Sequence, residues 1–175
     1  MPLSSINWPR RFLPGTTDNF VSNEIYVSDL KAQDVWPNLV DTSLWESYYD
    51  NVKVITSPRP VLNHQGDSFD FSTFGFPSLR NEVLECVAPT PTSPVGRLAW
   101  HSRMDGDAET ALDVYHAWLI EDTEWGAVRI LTQESQIGMP AAKLAVTKPN
   151  PMLLGHQKWV DGLEKISREK KQKRL

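Results

Sequence analysis

Hydrophobic and polar residues alternate with a period of two over most of this chain, and the period lengthens to that of a helix in two places. From about Phe20 to Val27 the residues Val21, Ile25 and Val27 share one face, which predicts a first strand. Strand patterning then fills Asn51 to Gly138. Val52, Val54 and Thr56 alternate, as do Phe69, Phe71 and Thr73, and further strands are expected over Leu79–Val87, Arg97–Ser102, Asp113–Glu121 and Ala127–Ile137. Between them lie segments of turn composition: Ser57-Pro58-Arg59-Pro60, Ala88 to Gly96 with three prolines, Met104 to Thr110, and Thr123-Glu124-Trp125-Gly126. Short connections between successive strands favour an antiparallel meander.

The first helical stretch follows strand one. Ser28 or Asp29 is a candidate N-cap, and Leu30, Val35, Trp36 and Leu39 supply an apolar stripe. Pro37 lies inside that stripe, so the helix is expected to stop or kink near Trp36. Thr42 is a fair cap for a second short helix through Leu44, Trp45 and Tyr48. The chain ends in a helix whose Met152, His156, Trp159, Leu163 and Ile166 fall on one face. The Pro149-Asn150-Pro151 element either begins that helix or breaks a longer one starting near Pro140. The basic residues from Arg168 to Arg174 read as a solvated helix end that also suits the helix dipole.

These elements predict an α+β domain: a curved antiparallel sheet of about seven strands wrapped around a long C-terminal helix, with two short helices after strand one. Residues 1–18 are expected to form an irregular arm whose Trp8 and Phe12 dock on the body. Residues 19–168 would form a single domain and 169–175 a basic tail. One long helix laid across a curved sheet leaves a gap where the curvature is greatest, and that gap is the expected cavity.

Composition narrows the function classes. The chain has 175 residues and a net charge of −4, which does not favour a nucleic-acid backbone as partner. A single cysteine, Cys86, excludes an intramolecular disulfide and a cysteine-based zinc site and reads as buried filler. The N-terminus does not read as a signal peptide, and no stretch approaches the ~18 apolar residues of a membrane span. A cytoplasmic protein without stable membrane insertion, a monomer or homodimer, is expected. Seven tryptophans are unusual for this length and tend to line a core or a pocket.

Candidate chemistry comes from sorting the strands by face. Val128, Ile130, Thr132, Glu134 and Gln136 share one face of the last strand; Val114, His116, Trp118 and Ile120 share one face of the strand before it. Leu98 and Trp100 join them from the next strand, and Phe69, Phe71 and Thr73 add a wall. His116, Glu134 and His156 then point into one mostly apolar space. Burial raises the pKa of a lone carboxyl and lowers that of a lone imidazole, unless they pair. A neighbouring His and Glu can trade a proton near neutral pH, as general acid–base chemistry requires. Tyr26, Tyr48 and Tyr115 are candidate donors to a carbonyl. The plainer readings are satisfied core histidines and a Glu134 paired to Arg80, Arg97 or Arg129. Two histidines and a carboxylate can make a facial triad, but neither His-x-His nor His-Glu-x-x-His spacing is present, and His64 and His101 add nothing specific, so no metal and no cofactor are expected. No phosphate-binding glycine loop and no nucleophile elbow occurs, and Asp105-Gly106-Asp107 reads as a turn.

Several segments carry a family resemblance: Val35-Trp36 followed by Leu44-Trp45-Glu46-Ser47-Tyr48-Tyr49, Gly66-Asp67-Ser68-Phe69, Phe71-Ser72-Thr73-Phe74-Gly75, Leu98-Ala99-Trp100, Tyr115-His116-Ala117-Trp118, Thr132-Gln133-Glu134-Ser135-Gln136-Ile137-Gly138 and His156-Gln157-Lys158-Trp159-Val160. In this order they resemble the SRPBCC (START/Bet v 1-like) superfamily with its helix-grip fold, in particular its polyketide cyclase/dehydrase-like members, over roughly residues 18–168. The resemblance implies a hydrophobic cavity for lipids, polyketides, hormones or aromatic compounds and does not imply one reaction. The expectation is an enzyme that binds a small hydrophobic molecule and catalyses cyclisation, dehydration or isomerisation through His116, Glu134 and His156. Tyr48, Phe69, Phe71, Thr73, Trp100, Trp118, Thr132 and Trp159 would line the ligand site. A non-catalytic carrier or an interaction module of the same fold is the alternative.

Overall fold

Seven strands pair in one antiparallel sheet of order β1-β7-β6-β5-β4-β3-β2. They are β1 (Asn19–Ser28), β2 (Val52–Thr56), β3 (Ser68–Thr73), β4 (Leu79–Val87), β5 (Val95–Met104), β6 (Leu112–Asp122) and β7 (Ala127–Ile137). Four helices accompany them: α1 (Ala32–Val40), α2 (Trp45–Tyr48), α3 (Met139–Val146) and α4 (Pro151–Gln172). The computed structural model describes residues 2–174 except the side chains of Val54 and Ile55, so the alternation expected at Val54 lies outside the described residues. Strands β2 to β7 pair in chain order as a meander, and β1 closes the far side by pairing with β7 from Asn19↔Gln136 to Ser28↔Ala127.

α4 grips the concave face. Met152, His156, Trp159, Val160 and Leu163 are buried on it, against Trp45, Trp100, Trp118 and the apolar residues of β7. Two glycines bring neighbours close. A Cβ at Gly162 would sit 2.0 Å from the Tyr48 carbonyl oxygen, and one at Gly155 would sit 2.2 Å from the Phe74 ring. The Pro149-Asn150-Pro151 element separates α3 from α4, and the Asn150 side chain accepts a hydrogen bond from Met152 N at 3.0 Å as the N-cap of α4. At the other end Lys171 Nζ reaches Asp34 at 3.0 Å and the Asp29 carbonyl at 2.7 Å, tying α4 to α1.

Three local expectations are corrected. α1 does not stop at Trp36 but runs through Pro37 to Val40. Val35, Trp36, Leu39 and Val40 are all buried in the main core, and the Asn38 side chain donates to the Asp34 carbonyl at 3.1 Å, so packing outweighs the backbone hydrogen bond that proline removes. Its cap is Lys31, whose backbone N–H donates to the Asp34 carboxylate at 3.0 Å, because Ser28 is still paired with Ala127 in the sheet. In the second short helical segment Asp41, not Thr42, caps by accepting from Ser43 N; the Thr42 hydroxyl is buried and donates to the Pro60 carbonyl.

The convex face is covered by residues 2–18. Ile6 and Phe12 are buried there with Ala99, Tyr115, Ala117, Leu119 and Leu131, and Trp8 packs at their edge. Arg97 and Arg129 donate to the Ser5 and Ser4 carbonyls, each at 2.8 Å. β6 is therefore buried on both faces from Val114 to Glu121. Among the described residues no helix is long and apolar enough to cross a membrane.

Candidate functional site

The site is written into the register of three strands. Trp100 pairs with His116 across β5 and β6, and His116 pairs with Glu134 across β6 and β7. Directly opposed residues on one sheet face hold their Cβ atoms about 5 Å apart. The side chains meet accordingly: His116 Nδ1 lies 2.9 Å from Glu134 Oε2. α4 brings His156 down onto the same carboxylate oxygen, Nε2 to Oε2 3.5 Å, with the two imidazole rings stacked at 4.6 Å. His116 and His156 are 1% exposed and Glu134 5%, so this is a closed cluster in the core. Trp100, Trp118 and Trp159 surround His116 with ring centroids 4.5, 5.7 and 5.5 Å away.

A chain of hydrogen bonds fixes the carboxylate from behind. Asn150, the cap of α4, donates to Asn19 Oδ1 at 2.9 Å; Asn19 donates to Gln136 Oε1 at 2.8 Å; Gln136 donates to Glu134 Oε1 at 2.6 Å. Oε1 is thereby occupied, and Oε2 is left to face the imidazoles. On the other side His116 Nε2 lies 2.7 Å from Thr132 Oγ1, which is also 3.3 Å from the Ala117 carbonyl. That hydroxyl can serve either tautomer. It donates to Nε2 when Nδ1 carries the proton, and accepts from Nε2–H while donating to Ala117 when Nδ1 is bare.

The electrostatics follow from burial and proximity. Burial, against the pull of Glu134, lowers His116 to about 4. Burial opposes ionisation of Glu134 too, but the imidazoles of His116 and His156 beside it outweigh that and hold its carboxyl well below the usual carboxylate range. The arginine partners expected as an alternative are engaged elsewhere: Arg129 with Glu24 and Glu121, Arg97 with the Ser5 carbonyl, and Arg80 with Ser68.

The space beside Glu134 is small. A cavity of about 40 Å³ is bounded by Phe71, Thr73, Trp100, Val114, Glu134, Gln136 and Met152, with Phe76, Pro77 and Leu79 of the β3–β4 connection at its rim. It holds about three water molecules, against roughly 300 Å³ for the smallest drug-sized pockets. The larger gap expected between helix and sheet is filled by rings, with Trp45, Tyr49, Phe69, Phe71, Trp100 and Trp159 in mutual contact. Among the described residues, several polar atoms in this filling have no hydrogen-bond partner: Tyr49 Oη, Trp118 Nε1 and His156 Nδ1. Buried polar groups are normally hydrogen-bonded, and an orphaned one marks a place where a ligand or water belongs.

The residues singled out from the sequence fall into three groups. His116, Glu134, His156 and Thr132 converge, and Phe71, Thr73, Trp100, Trp118 and Trp159 line or back the space they share. Phe69 is on the same face but lies behind Trp100 and Trp45 in the packed core. Tyr48 is not brought to the site: its hydroxyl donates to the Asn38 carbonyl at 3.0 Å, and it borders a separate surface depression with Ser47, Asp50 and Lys165. Tyr26 is exposed and Tyr115 faces the N-terminal arm, donating to the Asn7 carbonyl. The tyrosine near the cluster is Tyr49, stacked on Trp159 at 4.6 Å. Sequence spacing gave no metal signature, yet three donor atoms, one each from His116, Glu134 and His156, lie within 4.8 Å of one another.

Comparison with known proteins places this geometry in context. No family model matches the chain, and no curated protein matches it. Among solved structures, the hypothetical protein jhp0584 from Helicobacter pylori is 42% identical, with a TM-score of 0.86 over 95% of this chain and 98% of that one. Norcoclaurine synthase from Thalictrum flavum, in complex with dopamine and hydroxybenzaldehyde, has a TM-score of 0.55 at 12% identity over 96% of this chain and 98% of its own. The di-domain ARO/CYC BexL from the BE-7585A biosynthetic pathway has a TM-score of 0.53 at 9% identity, covering 83% of this chain and 45% of its own. At these low identities the last two share the fold with this chain.

Proposed function

We propose that the chain, which has the fold of the SRPBCC (START/Bet v 1-like) superfamily, takes up a small organic molecule between the sheet and α4 and moves a proton on it with the His116–Glu134–His156 cluster. The observation that carries this reading is the buried His116–Glu134 pair at 2.9 Å, whose carboxylate lines a cavity edged by aromatic rings. The Glu134–His116 pair, with Glu134 held by Gln136, acts as one base that takes a proton from the carbon beside a carbonyl and leaves it on the imidazole. The electron pair moves onto the carbonyl oxygen. His116 carries the proton and returns it to a neighbouring carbon, or to a departing hydroxyl in a dehydration. Fixing the substrate beside a preset pair supplies the positioning that such chemistry needs.

The cavity volume constrains the substrate. Only its reacting end fits the 40 Å³ beside Glu134, so its body has to enter beneath the β3–β4 connection, where Phe74 rests against Gly155. Phe74 has a φ of 55°, an uncommon conformation for a bulky residue, and moving it relieves that strain. The aromatic ligands of norcoclaurine synthase and the ARO/CYC assignment of BexL favour a flat, ring-bearing substrate. The test is mass spectrometry of small molecules that co-purify with the wild type and with His116→Ala and Glu134→Gln, followed by turnover of whatever is found. Retained binding with lost turnover in both variants is the expected result. Unchanged turnover in either variant refutes the catalytic role.

A further inference from the structure

The same three side chains are shaped to take something other than a proton. A four-coordinate divalent ion with bonds of about 2.1 Å to nitrogen and oxygen holds its ligand atoms roughly 3.4 Å apart. Glu134 Oε2 lies 2.9 Å from His116 Nδ1 and 3.5 Å from His156 Nε2, and all three donor atoms lie within 4.8 Å of one another, so each imidazole is already near that spacing from the carboxylate and the two imidazole nitrogens close on each other around an ion. The three donors come from three separate elements, β6, β7 and α4, all anchored in the core.

Behind two of the three donors lie the atoms a metal site requires. A ligating imidazole normally donates its other N–H to a fixed acceptor, and a ligating carboxylate is held through its second oxygen. Thr132 Oγ1 can accept from His116 Nε2–H while donating its own hydrogen bond to the Ala117 carbonyl, which leaves the Nδ1 lone pair facing Glu134. Gln136 occupies Glu134 Oε1 and leaves Oε2 free. His156 departs from this pattern: it is 1% exposed, and among the described residues its Nδ1 has no hydrogen-bond partner, so its ring is free to turn to an ion without losing a protein hydrogen bond. The adjoining cavity has room for a bound water as a fourth ligand.

We propose that His116, Glu134 and His156 bind one divalent transition-metal ion through two imidazole nitrogens and one carboxylate oxygen, with a water completing the site. Two nitrogen donors favour ions of the zinc, cobalt, nickel and iron(II) type over magnesium and calcium. The inference shares residues with the acid–base reading but does not rest on it. Metal and proton compete for the same atoms, so the metal-free protein shuttles protons and the loaded one polarises an oxygen of its ligand.

The test uses the full chain, stripped with a chelator and titrated with Co²⁺ in the absence of any organic ligand. Visible d–d bands that saturate at one ion per chain and are bleached by Zn²⁺ are expected. Glu134→Gln and His156→Gln lose at least about 100-fold in affinity with near-ultraviolet circular dichroism unchanged, and Thr132→Val loses about 10- to 100-fold, the range for groups behind the ligands. Absence of bands at millimolar Co²⁺ in the folded wild type overturns the proposal. So does binding that persists undiminished in both Glu134→Gln and His156→Gln, which places the ion elsewhere. Because no organic ligand is present, a negative result leaves the co-purification test of the acid–base reading intact.

Discussion

Gly155 and Gly162 lie two turns apart on α4 and face different obstacles, which makes them a paired test of the helix-on-sheet contact. Alanine at either position gains about 1 kcal/mol from helix propensity. At Gly162 the new Cβ meets backbone: the Tyr48 carbonyl oxygen at 2.0 Å and its carbon at 3.1 Å. α2 cannot give way easily, because Trp45, its first residue, and Tyr49, which follows it, are at most 1% exposed. The helix has to retreat instead, at the roughly 1–3 kcal/mol typical of overpacking. At Gly155 the obstacle is the Phe74 ring at 2.2 Å, a half-buried side chain that can swing outward and forfeit about 1 kcal/mol of its burial. Since the helix gain is common to both, their difference reports packing alone. Gly162→Ala is expected to be less stable than Gly155→Ala by about 1 kcal/mol, the mid-range overpacking cost of about 2 less the roughly 1 lost at Phe74, or roughly 2–4 °C in Tm for a chain of this size. Urea unfolding followed by tryptophan fluorescence measures it. Equal stabilities, or a more stable Gly162→Ala, refute the close approach of α2 and α4.

Two further outcomes follow from the site. Gln136→Leu strips the donor from Glu134 Oε1 and leaves the buried Asn19 amide without its acceptor, so unfolding free energy should fall by about 2–3 kcal/mol; a loss under about 0.5 kcal/mol in urea titration shows that the chain from Asn150 to Glu134 does not hold the cluster. In the chelator-treated protein, burial keeps His116 near 4 in the fold against 6.5 unfolded, so the unfolded chain binds more protons between those values. Stability is full above about pH 6.5 and declines toward pH 4 by about 3 kcal/mol, a slope that His116→Gln should remove; stability that rises as pH drops through this window would mean a charged His116 and reverse the argument.

The His116–Glu134 pair could be read from the chain because its two determinants are local. The turn at Thr123–Gly126 fixes the β6–β7 register, and the period of two then places residues 116 and 134 opposite each other on one face. His156 follows from helical spacing in α4. The tyrosine near the cluster could not be found this way. α2 is one turn long, too short for any periodicity to distinguish Tyr48 from Tyr49, and only packing on Trp159 selects the latter. The support of Glu134 was hidden for another reason: Asn19 and Asn150 are 131 residues apart and meet only once β1 and α4 are docked. β6 lacked alternation because the N-terminal arm buries its outer face, a contact that no local pattern encodes.

The tryptophans gain a definite place in the structure. As a composition they suggested the lining of a core or a pocket; in the fold Trp45, Trp100, Trp118 and Trp159 fill the space between helix and sheet. That filling supports the site's chemistry by another route. Rings packed on His116 exclude water, and in a poorly screening interior each nearby charge acts more strongly than it would at the surface. A carboxylate kept ionised there, with both imidazoles and no arginine or lysine among its ion-pair partners in the described residues, needs a compensating positive charge. A proton taken from a substrate supplies it in one reading and a divalent ion in the other. The two readings therefore differ in the cation they admit, not in the site. The Trp-packed interior further requires that whatever organic molecule enters be small at its reacting end.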